Sequence, residues 1–75
     1  MDIRKISIGA DYKSAMHYVI GQEVLGSSYV IHLIKRNVKD NSYKIYIQEI
    51  EGDVVMLWKE LNCNLPISVE YNINF

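Results

Sequence analysis

Residues Tyr29 to Lys59 read YVIHLIKRNVKDNSYKIYIQEIEGDVVMLWK, and the fold turns on how this stretch is parsed. Ser42 to Ile50 sets Tyr43, Ile45 and Ile47 against Lys44, Tyr46 and Gln48, a period of two that belongs to a strand. Tyr29 to Arg36 is rich in β-branched and aromatic residues and reads as the strand before it, with Asn37-Val38-Lys39-Asp40-Asn41 supplying turn chemistry between the two. Glu51-Gly52-Asp53 is a tight-turn signal that leads into Val54 to Lys59. The stretch therefore predicts a three-stranded antiparallel meander.

The pattern extends outward in both directions. Towards the C-terminus Ile67, Val69, Tyr71, Ile73 and Phe75 alternate with Ser68, Glu70, Asn72 and Asn74, a half-buried strand with Pro66 placed just before it, where no ladder hydrogen bond is lost. Towards the N-terminus Ile3 to Ile8 reads as a strand ending at Gly9, and Met16 to Ile20 as a short one. Between them Asp11 can cap a short helical turn over Lys13 to Met16, Lys13 to His17 reads as a loop or single turn, and Gly21 to Gly26 turns the chain into the meander. The fold class expected is mainly β: one domain over residues 1–75, a small antiparallel barrel or curved sheet of five to six strands.

Seventy-five residues enclose little core, and small domains usually add a staple. The single Cys63 excludes an intrachain disulfide, and no second cysteine stands near His17 or His32 for a zinc site. Several strands carry bulky groups on both faces: Tyr46 opposes Ile45 and Ile47, while Val55 and Leu57 oppose Met56 and Trp58. One small monomer has one interior, so the second apolar face is expected in a subunit interface or binding surface, and a homo-oligomer, dimer or tetramer, is the expected state.

Composition bounds the function classes. At 49% hydrophobic, 23% charged and a net charge of −1, the chain is of the ordinary globular type. No apolar signal core follows Met1, and the run from Tyr29 to Ile34 is too short to cross a bilayer, so a cytoplasmic, non-membrane protein is expected. Catalytic signatures are lacking: no serine or cysteine has a nucleophile context, His32 reads as a half-buried polar tip, Glu49 and Glu51 as a solvated edge, and the glycines match no phosphate-binding loop. No enzyme, cofactor or metal is expected. Eight Lys/Arg against nine Asp/Glu also disfavour long nucleic acid, whose phosphates call for a basic track. A small ligand with one or two phosphates remains open. The stretch from Ile8 to Tyr18 carries Tyr12, Lys13, Met16, His17 and Tyr18, faces for stacking and a compact cation for a phosphate, although the tyrosines could equally plug a barrel end. Lys35 and Arg36 add two cations where the strand from Tyr29 closes.

The combination of Ile6-Ser7-Ile8-Gly9, Asp11-Tyr12-Lys13, Met16-His17-Tyr18, Gly21-Gln22, Ile31-His32-Leu33-Ile34, Leu57-Trp58-Lys59-Glu60 and Ser68-Val69-Glu70-Tyr71-Asn72 spans nearly the whole chain and resembles the bacteriophage anti-CBASS sponge proteins. The resemblance implies a homo-oligomer in the host bacterial cytoplasm that sequesters a small cyclic nucleotide, 3'3'-cGAMP-like, without cleaving it. It further implies Tyr12 and Tyr18 stacking on bases, Lys13 on phosphate, Met16 lining the pocket, Gln22 reading a base edge, and Lys35 and Trp58 contributing from the sheet or a neighbouring subunit. Two other expectations stand beside it: a phage structural or host-protein interaction module, and a barrel that binds single-stranded nucleic acid.

Overall fold

The structure is a computed structural model and describes residues 2–11 and 13–72; Tyr12 and the expected strand end at Ile73 and Phe75 lie outside these. Seven strands are formed and no helix among the described residues: β1 (Ile3–Ile8), β2 (Met16–Val19), β3 (Glu23–Val24), β4 (Tyr29–Asn37), β5 (Ser42–Glu49), β6 (Val55–Asn62) and β7 (Ile67–Tyr71). The meander is β4, β5 and β6, antiparallel throughout. The expected count of five to six is exceeded by β3, a two-residue strand inside the segment read as a turn.

The strands form two antiparallel sheets, β2-β1-β7 and β3-β4-β5-β6, the second curled into a half-barrel. Ile20 and Gly21 are the corner between them. Ile20 N–H donates to Arg4 C=O at 2.9 Å, continuing the first sheet, and Gly21 N–H donates to Ile31 C=O at 2.8 Å, entering the second. Gly21 holds φ at +90°, a left-handed value that glycine adopts without the Cβ penalty. The remaining curl comes from three irregularities in register. Arg4 on β1, His32 on β4 and Trp58 on β6 are each an extra residue against the neighbouring strand. Such bulges bend and over-twist a strand. At His32 the bulge overturns the reading of a half-buried tip, since the side chain is exposed.

The core is a cluster of Ile3, Ile6, Tyr18, Ile31, Ile34, Ile45 and Ile47, with Trp58, Leu61, Ile67 and Val69 packed around it. Ile31 opposes Ile47 and Ile34 opposes Ile45 on the inner face, whereas Leu33, Tyr46 and Leu57 lie in register on the outer face. Bulky groups on both faces of the meander are thus real, and Leu57 leaves 47% of its surface open. Outer charges are paired at the hairpin end. Lys44 Nζ lies 2.9 Å from Asp40 and 3.3 Å from Glu60, and Ser42 Oγ donates to Asp40 Oδ1 at 2.6 Å.

The Ser42 hydroxyl first, and then Lys44, hold the Asp40 carboxyl below its usual value of 3.8. Asp40 raises the Lys44 ammonium above 10.5. A carboxyl depressed in the folded chain stabilises it above about pH 3.8, and that contribution is lost as pH falls through the lower folded value. The lysine's share is present below about pH 10.5 and disappears as pH rises through its raised value. Urea midpoints measured from pH 5 down to pH ~2.5 are therefore expected to fall more steeply for the natural chain than for Asp40→Asn. Parallel curves would remove Asp40 from the acid response.

Candidate functional site

The described residues that sequence reading marks for binding divide between four places. Lys13 is exposed in the turn after β1, where its N–H donates to Asp11 Oδ1 at 3.1 Å, and Ser14 N–H donates to Asp11 C=O at 3.2 Å. Of the loop or single turn expected there, these bonds make a turn, because an aspartate side chain can satisfy the amide two positions on. Met16, at the start of β2, is 59% exposed. Gln22 is exposed too, but its side-chain oxygen accepts from Val19 N–H at 3.1 Å, which ties it to the corner.

Tyr18 and Trp58 are brought together in the interior. Their rings meet edge to face, centroids 5.8 Å apart at 84°, and Tyr18 is only 8% exposed. The bulge at Trp58 sets this geometry, because Lys59 rather than Trp58 takes the position opposite Ile45, and the Lys59 ammonium comes to rest 4.8 Å from the indole centroid.

Lys35 stands apart from all of these. It is exposed beside buried Ile34, and it makes no ion pair among the described residues. It lines an open cleft of about 330 Å³ between the two sheets. Ile3, Leu33 and Ile34 form the apolar part, and Asp2, Arg36 and Tyr71 complete the wall. The Arg36 guanidinium is held elsewhere, donating to Asn41 Oδ1 at 3.1 Å, touching Cys63 Sγ and lying over the Tyr43 ring at 5.2 Å. Tyr71, by contrast, leaves 45% of its surface open. Asp2, Ile3 and Tyr71 join Lys35 and Arg36 in this cleft only because the topology brings the start of β1 and the end of β7 beside β4, which local sequence does not announce. A second cleft, of about 360 Å³, is walled by Ser27, Ser28, Tyr29, Glu49, Ile50 and Glu51. Its two carboxylates repel a phosphate.

One pair of reactive groups meets in a way that sequence reading missed. Ser7 and His17 are register partners on β1 and β2, and Ser7 Oγ lies 2.7 Å from His17 Nδ1. Their meeting could be found only once the strand pairing was known. Nucleophile and base are within reach of one another, yet Ser7 is 4% exposed, so an acyl or phosphoryl substrate has no approach to its oxygen. The contact satisfies a buried hydroxyl. Among the described residues no group of three His, Cys, Asp or Glu side chains is placed to hold a metal ion.

The second open surface is apolar. β6 is an edge strand of its sheet, and the consecutive residues Val54, Val55, Met56 and Leu57 are all 39% or more exposed. An exposed apolar stretch at the edge of a sheet is a template for pairing with another chain. No helix of the described residues is long and apolar enough to cross a membrane. No protein-family model matches the sequence, and neither a curated protein nor a solved structure matches it.

Proposed function

We propose that this chain is a phage immune-evasion sponge, a non-enzymatic homo-oligomer that binds cyclic di- or oligonucleotide signals of bacterial antiviral defence in the host cytoplasm and holds them uncleaved. The observation that carries the reading is the Lys35 cleft: a concave surface with a cation that makes no ion pair among the described residues, an exposed tyrosine and an apolar floor. Concavity with few polar groups is what a small-molecule site needs, and a single unpaired lysine suits one phosphate better than a nucleic-acid backbone. The buried Ser7 hydroxyl supports capture without chemistry. Titration calorimetry of the purified protein with 3'3'-cGAMP and with a cyclic trinucleotide is expected to give saturable binding at micromolar or tighter Kd, with the ligand recovered intact by chromatography. Absence of heat and of any thermal shift across both ring sizes would end the proposal, and a cleaved product would make the protein an enzyme.

The edge of β6 favours a second reading, an interaction module that binds another protein along Val54 to Leu57. The two readings share a need for oligomer or partner contacts. Sedimentation is expected to return a mass of at least twice 8.7 kDa for the natural chain. Met56→Lys, which puts a charge on an open edge position, should shift it to the monomer while far-UV circular dichroism stays that of a β protein. A natural chain that sediments as a monomer would remove self-association from the proposal.

A further inference from the structure

The cleft beside Lys35 has backbone chemistry as well as side chains. β3 pairs with β4 only at Tyr29 and Val30, and the bonds of Gly21 and Gln22 extend that pairing to Ile31. Among the described residues, β4 therefore has β5 as its one partner strand from Leu33 to Asn37. The direction of its peptide groups follows from the ladder. Glu49 N–H donates to Val54 C=O across β5 and β6, so Glu49 turns its peptide groups to β6. Ladder bonds alternate residue by residue, so Ile47, Ile45 and Tyr43 do the same. Their opposite numbers on β4 include Arg36, facing Tyr43, and the Arg36 peptide N–H is therefore directed away from β5, to the side that β3 leaves uncovered. An amide donor thus lies on the edge of β4 that Lys35, which makes no ion pair among the described residues, also lines, with the fixed Arg36 guanidinium adding positive potential.

We infer that the cleft takes one nucleoside monophosphate unit per chain. The phosphate lies on the Lys35 ammonium and the Arg36 peptide N–H, the base stacks on the open face of Tyr71, and a base edge bearing N–H donors meets the Asp2 carboxylate. Each partner matches its group: a compact cation and an amide suit an anion, an exposed aromatic face suits a base, and a carboxylate accepts only from a donor. The last match favours guanine, whose N1–H and 2-amino group lie side by side, over adenine or a bare phosphate. At about 330 Å³ the cleft is at the small end of ligand sites, ~300–1,000 Å³, which fits one unit and leaves the other half of a cyclic dinucleotide outside it. Two copies related by a two-fold axis would each take one half. The cyclic form of the ligand rests on the sponge reading, whereas the recognition of a nucleotide unit by the cleft does not.

The test is calorimetry on the full chain and on Lys35→Glu, an exposed position whose replacement leaves the core untouched, with GMP, AMP, inorganic phosphate and 3'3'-cGAMP as probes. GMP is expected to bind more tightly than AMP and much more tightly than phosphate, and to be weakened by about thirtyfold in Lys35→Glu. The cyclic dinucleotide is expected at one per two chains with the same dependence on Lys35. GMP no tighter than inorganic phosphate, or unweakened in Lys35→Glu, would overturn the assignment. If Lys35→Glu holds 3'3'-cGAMP undiminished, the cleft is wrong and the sponge reading stands. If GMP binds through Lys35 and no cyclic nucleotide binds, the cleft stands and the sponge reading falls. Silence from all four probes overturns both.

Discussion

Ile45→Ala is expected to leave the chain largely unfolded at 37 °C. Ile45 is 0% exposed, lies opposite Ile34 on β4 and Lys59 on β6, and belongs to the cluster where both sheets meet. Truncating a fully buried isoleucine removes its transfer free energy and leaves a cavity, together about 3 kcal/mol. A core this small supplies on the order of 3–5 kcal/mol in all, so one such cavity consumes most of the margin. Because a short domain unfolds with a small entropy change, the thermal midpoint should drop by roughly 15 °C. Val38→Ala is the control: Val38 is 79% exposed in the β4–β5 turn, and its loss should stay within about 0.5 kcal/mol. The two are compared by thermal melts at several protein concentrations. If Ile45→Ala melts with the natural chain, the interior is not where the cluster of isoleucines puts it. The concentration series has its own use, since a chain stabilised by its copies melts higher when concentrated.

The reason Ile45 could be picked from sequence is that β5 keeps its alternation unbroken. Its neighbours do not. On β4 and β6 an extra residue enters at His32 and Trp58, and from that point every side chain changes face relative to a strict period of two. This is why the three strands of the meander were legible, β6 short by its last three residues, while His32 reads as half-buried and is exposed. β3 was hidden for a different reason: two residues between Gly21 and Gly26 carry too little pattern to outweigh the turn chemistry around them. The corner at Ile20 and Gly21 was equally silent, although it is what divides the strands into two sheets.

Site residues follow the same division between local and long-range information. Lys13 and Asp11 belong to one turn, and that turn was readable. The Lys35 cleft joins residue 2, residues 33–36 and residue 71, and the Ser7–His17 contact joins two strands across a seven-residue loop. Both depend on which strands lie together, and residue type alone does not encode that.

Trp58 is where a binding role and a packing role compete for one side chain, and the expected result separates them. Trp58→Ala should cost about 3 kcal/mol of stability, because it deletes the edge-to-face contact with Tyr18, opens the interior beside it and strips the Lys59 ammonium of its aromatic face. Trp58→Phe keeps an aromatic body and should recover more than half of that. The contact itself is read by a cycle with Tyr18→Leu, in which the pair should couple by about 0.5–1.5 kcal/mol. Urea melts of the natural chain, the two Trp58 variants, Tyr18→Leu and the double variant give these values directly. A ligand-facing tryptophan would behave in the opposite manner, with Trp58→Ala melting close to the natural chain and losing affinity for the nucleotide. The buried Tyr18 ring, at 8% exposure, has its edge-to-face contact with Trp58, so the structure favours the first outcome. In that case the bulge at Trp58 has a purpose in packing: it lets two successive side chains, the indole and the lysine stacked on it, serve the same face of an edge strand that is otherwise open to solvent.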